Sequence, residues 1–295
     1  MSECFERPNR REVIGSALAV GAGLVGARLG LSVGAARERV VLVRDSKAVG
    51  PDGSVVGSRL AAMLDQAVAA LVDAPTAKEA WAHLLGPGDV LGIKSNAWRH
   101  LATPAELENA IRTRAVEAGI APDAVAVDDR GVLANPGFTK ATALVNVRPM
   151  RTHHWAGLGS CVKNYIMFVR EPWTFHDNAC ERLGAIWRLP HVKDRTRLNV
   201  LVMLTPLFHG VGPHHFNRAY TWPYGGLVVG RQPASVDAVG AAIIAVKRRE
   251  HFGEDRPITP APHHIQVAGT RYGLGPTDLA ALDLVRLGES AGALV

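Results

Sequence analysis

The densest group of reactive side chains lies in residues 152–164, which read Thr-His-His-Trp-Ala-Gly-Leu-Gly-Ser-Cys-Val-Lys-Asn. His153 can ligate a metal or exchange protons near neutral pH. The glycines would let backbone amides approach an anion. Lys163 could pair with that anion, or act as a base if it is desolvated. We therefore predict that Lys163 and His153 carry the chemistry and that Asn164 orients the ligand.

This stretch belongs to a longer basic segment, residues 148–197. The segment contains nine basic and four acidic residues, a net charge of +5, together with four histidines and three of the six tryptophans. Basic groups among aromatic rings can bind single-stranded nucleic acid. However, the N-terminus predicts export, as described below, and an exported protein rarely meets nucleic acid. The segment therefore predicts an anionic small molecule as the ligand, held in part by Arg151. The alternative is an ordinary solvated basic loop.

Adjacent histidines suggest a metal site built from separate loops. Histidine pairs occur at 153/154, 214/215 and 263/264. Neighbouring residues of an extended segment point opposite ways, so each pair is expected to give one ligand at most. Imidazole suits Zn, Ni, Cu or Fe. The predicted ligands of such a transition metal are His153, His154, His209 and His214. The alternative is that these histidines cap loops or lie on the surface.

The elements that must position these residues alternate along the chain. β-Branched runs predict strands near 39–44, 90–94, 124–127, 141–147, 198–204, 226–229 and 264–267. Stretches rich in Ala, Leu and Val predict helices over 59–72, 103–118 and 233–247. This alternation predicts an α/β fold with a mostly parallel sheet and helices on both faces. Residues 148–197 are predicted to be an irregular central insertion that forms a cleft.

Polar residues follow the predicted strands where a ligand would bind. Ligands of open parallel sheets lie beyond the carboxyl ends of the strands. Lys94 and Asn96 end one predicted strand, and Asp128 ends another. These three side chains are therefore predicted to bind the ligand. Alternatively, Asp128 caps its loop, or the adjacent Asp128 and Asp129 hold a divalent cation or support nucleotide chemistry.

Composition limits the class of protein. The chain has 295 residues, of which 47% are hydrophobic and 20% are charged, so it is not a disordered protein. Its three cysteines exclude a small disulfide-stapled scaffold. Cys161 and Cys180 could pair or stay free, but neither belongs to a Cys-x-x-Cys motif. No iron–sulfur cluster is therefore expected from this chain alone. The length predicts a single α/β domain over residues 35–295, or two intimate lobes.

Residues 1–34 are predicted to be an export signal. Arg10 and Arg11 precede an apolar run without acidic residues, and small residues follow that run near Val33. A basic region, an apolar region and a small-residue exit are typical of secretory signals. The arginine pair favours the twin-arginine type, which predicts transport by the twin-arginine translocase to the periplasm or extracellular space. The alternative is a segment that stays in place as a membrane anchor.

The order of several short motifs resembles the family called domain of unknown function 362. The matching motifs are Gly88–Asn96, Thr152-His153, Val162–Asn164, Gly210–Pro213, Gly230–Asp237 and Gly273–Gly275 with Asp278. Ser95 and Gln232 stand where the family pattern has a proline and an acid. The resemblance covers about residues 39–288 and implies an α/β fold with its site near Lys94 and Lys163. Some relatives carry ferredoxin-type iron–sulfur modules, which implies a redox-related role, although this sequence lacks that module.

Two functional hypotheses follow. The first is an exported protein that binds an anionic small molecule or cofactor, helped by a histidine-ligated metal, with a redox-related enzymatic role. The second is a non-catalytic accessory or maturation subunit of an exported redox complex, with residues 148–197 as its docking surface. Tryptophan and arginine are both enriched at the energetic centres of interfaces, which supports the second hypothesis.

Overall fold

The computed structural model describes residues 37–212 and 214–295, which form one compact unit. The predicted export signal, residues 1–34, lies outside the described residues. The strands are β1 (Glu38–Arg44), β2 (Leu91–Lys94), β3 (Val125–Asp128), β4 (Ala143–His153), β5 (Gly157–Gly159), β6 (Thr196–Leu207), β7 (Gly226–Gly230) and β8 (Leu282–Gly288). The helices are α1 (Gly57–Val72), α2 (Ala77–Leu84), α3 (Ala105–Glu117), α4 (Pro136–Thr139), α5 (Cys161–Asn164), α6 (Asp177–Cys180), α7 (Pro233–Phe252) and α8 (His263–Tyr272).

The eight strands form one sheet in the order β3-β2-β4-β6-β7-β1-β8, with β5 paired to β4. Neighbouring strands are parallel in the pairs β2/β3, β2/β4, β4/β6 and β1/β8. Strand β7 runs antiparallel to both of its neighbours, and β5 runs antiparallel to β4. The prediction of an α/β fold with a mostly parallel sheet is therefore confirmed.

Helices cover both faces of this sheet, as predicted. Val41 and Val43 of β1 pack into a core shared with α1, α2 and α3. Val40 and Leu42 point the other way and pack with α7 and α8. Successive strand residues point to opposite faces, so burial on both faces needs a continuous apolar run rather than alternation. The sequence Val40–Val43 is such a run.

The strands around the insertion are longer than the sequence patterns predict. Strand β4 continues through His153 with every residue buried, and β6 begins at Thr196. The irregular insertion therefore spans residues 154–195 rather than 148–197. Arg148 and Arg151 obscure the strand pattern, because charged residues are rarely buried in a strand without a special reason.

One predicted strand is wrong. Residues 264–267 lie in α8, which begins after Pro262 and ends at Gly273 in the left-handed conformation. Pro at the start and Gly just past the end are helix boundary signals. They outweigh the short apolar run that suggested a strand. The real last strand is β8, further along the chain. No helix among the described residues has the length and apolar character needed to cross a bilayer.

Candidate functional site

The predicted polar residues meet at the carboxyl ends of β2 and β4. After β2, helix α3 packs on one face of the sheet, whereas after β4 the chain packs on the other face. Such a reversal between adjacent parallel strands leaves a crevice, the topological switch point. Lys94 ends β2 opposite Asn146 of β4, so the last seven residues of β4 extend beyond β2. Arg148, Arg151 and His153 lie in this extension.

Lys94 is a buried lysine in an internal ion pair. Its Nζ donates to Asp129 Oδ1 at 2.6 Å, to the Ser95 carbonyl at 2.7 Å and to Asn164 Oδ1 at 3.4 Å. Burial lowers the pKa of Lys94 to about 8, although Asp129 opposes this shift. Burial also acts to raise the pKa of Asp129, but Lys94 and the Ala97 amide hold that pKa below its usual value. The positive charge of Lys94 is therefore already paired with a carboxylate of the protein.

Asp128 has a different place from the one predicted. Its carboxylate accepts hydrogen bonds from the Gly131 amide at 2.8 Å and from Asn135 Nδ2 at 2.9 Å. These bonds cap the loop after β3. Since adjacent residues at a strand end point opposite ways, only Asp129 turns toward Lys94. The structure thus gives the carboxylate of this site to Asp129, and Asp128 takes the capping role that was the alternative.

Three buried asparagines fix the floor of the crevice. Asn164 Nδ2 donates to Asn146 Oδ1 at 2.8 Å, and Asn146 Nδ2 donates to Asn199 Oδ1 at 2.8 Å. Asn164 Oδ1 accepts a hydrogen bond of 3.0 Å from Arg148. Buried polar networks with every member bonded are rigid. Asn164 therefore positions Arg148 and has little hydrogen-bonding capacity left for a ligand.

Arg148 and Arg151 are buried cations without a carboxylate partner among the described residues. They are 4% and 5% exposed, and the Nε atom of each lacks a hydrogen-bond partner. Arg151 donates to Asn96 Oδ1 at 2.9 Å, and its guanidinium carbon lies 4.3 Å from the ring centroid of Trp98. Burial lowers the pKa of both side chains. Arginine nevertheless keeps its charge at physiological pH, because its starting pKa is so high.

Lys163 is a third buried basic side chain, and the charges of both arginines act on it. It is 3% exposed, and within residues 37–212 and 214–295 its one hydrogen-bond partner is Cys180 Sγ at 3.8 Å. Burial lowers the pKa of Lys163 to about 8; Cys180 opposes this shift, and Arg148 and Arg151 add to it.

His153 completes the group as a neutral hydrogen-bond donor. Its Nδ1 accepts a hydrogen bond of 3.2 Å from the Trp155 amide, so the proton of the neutral ring is on Nε2. Burial, together with Lys163 and the nearby arginines, lowers the pKa of His153. The ring therefore stays neutral at physiological pH. We call Arg148, Arg151, Lys163 and His153 the basic cluster.

A buried carboxylate near the basic cluster is committed to another task. Asp237 of α7 accepts hydrogen bonds from Ser160 Oγ at 2.6 Å and from the amides of Cys161 and Val162, both at 2.8 Å. It therefore anchors the start of α5, the turn that carries Lys163. Burial raises the pKa of Asp237 to about 6 despite these bonds. Asp237 forms no direct ion pair with the cluster in the described part of the chain.

The predicted metal ligands are only partly brought together. His154 Nε2 and His214 Nε2 lie 3.1 Å apart, so the loops of the two pairs do meet. The rings of His153 and His154 stack with centroids 4.6 Å apart, because His154 lies in the turn after β4 where strand alternation no longer holds. His209 is elsewhere, where its Nδ1 contacts Arg248 at 3.1 Å. Within residues 37–212 and 214–295, no group of three or more His, Cys, Asp or Glu side chains is arranged to hold a metal.

A cavity of about 1050 Å³ lies near Trp98. His100 and Phe216 stack within its wall, and both contact Trp98, with ring centroids 5.1 and 5.6 Å from it. Trp98 therefore connects two rings of the cavity wall with the buried Arg151. Lys47, Arg99, Arg218 and Trp222 also line this cavity.

Three residues of the site are not predicted as functional from the sequence: Arg148, Asp129 and Trp98. Arg148 was counted as charge but not assigned, although it lies two residues after Asn146 and so shares its face of β4. Asp128, and not its neighbour Asp129, is the aspartate that the strand pattern predicts for the site. Trp98 gives no signal in the sequence, because its role depends on Arg151, 53 positions away.

No family model, curated protein or solved structure matches this chain. The fold and the site define its class: an α/β protein with a buried basic cluster at the switch point of a mostly parallel sheet.

Proposed function

We propose that this protein binds a small anionic molecule at the basic cluster, as an exported enzyme with a redox-related role. One observation carries the proposal. Arg148 and Arg151 are both buried, and within residues 37–212 and 214–295 neither forms an ion pair, since Asp129 pairs with Lys94. Burying a charge costs several kcal/mol unless a partner compensates it. An anion would supply that partner.

The donors of the cluster indicate the shape of the anion. Three groups of the cluster can donate a hydrogen bond to a ligand: the unpaired Nε–H of Arg148, that of Arg151, and the Nε2–H of His153. A charged guanidinium and a protonated ring nitrogen cannot accept a proton from the ligand. Guanidinium groups bind carboxylate and phosphate oxygens with matched geometry. A carboxylate or phosphate ester of low molecular mass is therefore the ligand class that fits.

Two of the four predicted metal ligands, His153 and His209, do not fit a shared metal site. A histidine that binds a metal through one nitrogen normally donates its other N–H to a neighbour. His153 accepts at Nδ1 instead, so it fits the role of a donor better than that of a ligand. His209 lies apart from the others. His154 and His214 remain as a two-histidine candidate site for Zn, Ni, Cu or Fe.

The metal proposal is tested on protein purified without an affinity tag. Elemental analysis is expected to find a stoichiometric transition metal in the wild type and much less in His154→Ala. Metal-free protein that neither gains metal nor changes its thermal stability on addition of Zn²⁺, Ni²⁺, Cu²⁺ or Fe²⁺ would overturn it.

A second candidate function is favoured by exposed tryptophans. Trp155 and Trp173 in the insertion are 47% and 63% exposed, which is high for such large apolar side chains. Tryptophans of this kind often anchor protein interfaces. A docking subunit of an exported redox complex would use them. Recovery of a stable partner from native extracts, lost in Trp155→Ser with Trp173→Ser, supports this function.

The anion proposal is tested by thermal unfolding with added ligands. Phosphate, sulfate, oxalate and pyruvate are compared with chloride at equal ionic strength. A ligand at 100 times its Kd adds about 2.7 kcal/mol, which raises Tm by about 5–10 °C in a domain of this size. Arg148→Met and Arg151→Met are expected to lose the effect, whereas the exposed control Arg170→Met keeps it. Failure of all four anions, or equal stabilisation of the double Arg variant, would refute the proposal.

A further inference from the structure

Two buried lysines flank the crevice, and they differ in their partners. Lys94 donates to three oxygen atoms, one of them a carboxylate, which uses all the N–H groups of an ammonium ion. Lys163 contacts a single thiol at 3.8 Å. Burial lowers the pKa of both lysines to about 8. Hydrogen bonding therefore separates them: the Lys94 nitrogen is engaged by three acceptors, whereas the Lys163 nitrogen contacts one thiol and can turn toward a ligand.

Among the described residues, no carboxylate forms an ion pair with Lys163. The groups that interact electrically with it are Arg148 and Arg151 of β4, Cys180 of α6, and the imidazoles of His153, His154, His176 and His264. Burial lowers the pKa of all four histidines, with Lys163 as a further cause, so their rings are neutral near pH 7. A lysine whose pKa is lowered by burial and by neighbouring cations has more neutral amine near pH 7 than an ordinary lysine, and that amine is a nucleophile toward carbonyl groups.

The backbone that places Cys180 against Lys163 has an unusual conformation. Asn178, Ala179 and Cys180 have φ values of 48°, 53° and 64°, three consecutive left-handed residues without a glycine. Such residues are uncommon and gather at functional sites. Burial raises the pKa of the Cys180 thiol, so it contacts the amine as a neutral group. The turn thus fixes the amine without supplying the charge that would keep it protonated.

We infer that Lys163 forms an imine with the carbonyl carbon of a small 2-oxo acid whose carboxylate is held by Arg148 and Arg151. The inference rests on the proposed anion-binding function and adds to it a substrate class and a covalent step. A 2-oxo acid carries its ketone next to its carboxylate. Both arginines act electrostatically on Lys163, so a carboxylate held between them would bring its ketone toward Nζ.

The step balances without an oxidant or a reductant. The Nζ lone pair attacks the carbonyl carbon, and the π electrons move to the oxygen. The two hydrogens of the neutral amine then leave with that oxygen as water, and a C=N bond remains. His153 of the cluster can relay one of these protons: its Nε2–H protonates the departing oxygen, and Nε2 takes up a proton from the nitrogen in exchange, so the ring ends neutral.

The test is reductive trapping on wild-type protein. The protein is incubated with pyruvate and cyanoborohydride, digested, and analysed for lysine residues that carry one reduced pyruvate. At pH 7 a lysine with a pKa of about 8 has about 200 times more neutral amine than an ordinary lysine. Labelling of Lys163 is therefore expected to exceed that of the exposed Lys193 by about ten-fold or more. Lys94 serves as the matched buried control and should stay unlabelled.

Competition and variants separate this inference from the proposed function. Excess oxalate, which has no ketone, should suppress labelling of Lys163, and Arg151→Met should reduce it. Labelling of Lys94 or Lys193 to the same extent as Lys163 would overturn the inference. If pyruvate raises Tm but leaves Lys163 unlabelled, the imine is wrong and anion binding stands. If pyruvate neither binds nor labels, the inference fails, and anion binding then stands or falls with phosphate, sulfate and oxalate.

Discussion

The guanidinium of Arg151 lies over the ring of Trp98, with its central carbon 4.3 Å from the ring centroid. A cation over a tryptophan ring gains about 2 kcal/mol where the pair is desolvated, and Arg151 is buried. The ring offers this cation its electron-rich face, since no carboxylate among the described residues pairs with Arg151. Trp98 also contacts His100 and Phe216 in the wall of the cavity, so it connects that wall with the buried cation.

The first prediction concerns this contact. Trp98→Leu should lower the free energy of unfolding by about 2 kcal/mol in the wild type, and by clearly less in an Arg151→Met background. Urea unfolding of the four proteins in this double-mutant cycle measures the coupling. The exposed Trp173→Leu is the control and should show no coupling to Arg151. A coupling free energy of zero between the two substitutions would mean that the contact between Trp98 and Arg151 contributes nothing to stability.

The second prediction concerns the pH dependence of stability. Burial lowers the folded-state pKa of Lys163 to about 8, below the value of about 10.4 in the unfolded chain. The stability linked to this group is present above the unfolded pKa and is lost as pH falls through about 8. Lys163→Met should therefore be more stable than the ligand-free wild type at pH 7, by up to about 3 kcal/mol. The difference should disappear near pH 10.5.

Urea unfolding at several pH values checks this sign. The exposed control Lys193→Met should follow the wild type at every pH. A variant that is less stable than the wild type at pH 7 would show that Lys163 contributes through packing and not through charge.

The third prediction concerns the ion pair at the ends of β2 and β3. Asp129→Asn leaves Lys94 buried without its carboxylate and should destabilise the protein by about 3 kcal/mol. The exposed Asp194→Asn should cost less than about 0.5 kcal/mol. Chemical denaturation measures both variants. Equal, small effects would mean that Lys94 gives up its proton at little cost.

The fourth prediction concerns the glycine of β5 that faces the arginines. A Cβ atom at Gly159 would lie 2.8 Å from an Arg148 nitrogen, a separation that forces the guanidinium to move. Gly159→Ala should therefore weaken anion binding by about ten-fold, which is the effect of losing about 1.4 kcal/mol. Calorimetric titration measures the change. Gly86→Ala is the matched control, because a Cβ there meets nothing within 4 Å.

The fold could be predicted from the sequence further than the site could. Continuous apolar runs such as Val40–Val43 fix strands that are buried on both faces, and the helix of residues 233–247 is evident from its composition. The predicted strand at residues 264–267 is wrong because four residues cannot distinguish a strand from one helical turn. Pro262 and Gly273 carried the better signal.

The site resisted prediction because its contacts join distant residues. Lys94 and Lys163 were both assigned from their types and places, and both lie in the crevice. Nothing in the sequence shows that Asp129 neutralises one of them and leaves the other unpaired. The difference depends on which of two adjacent carboxylates, Asp128 or Asp129, points toward Lys94 at the end of β3. Adjacent residues there point to opposite sides, so a shift of one residue would exchange their roles.

The position of β1 has a consequence for how this protein is made. Its two partners in the sheet are β7, which begins at Gly226, and β8, which begins at Leu282. A ribosome must therefore synthesise about three quarters of the 295-residue chain before the first described strand can find a neighbour. Pairings between such distant residues also make folding slow. Through most of translation β1 has two open edges, which is the state that chaperones protect from aggregation.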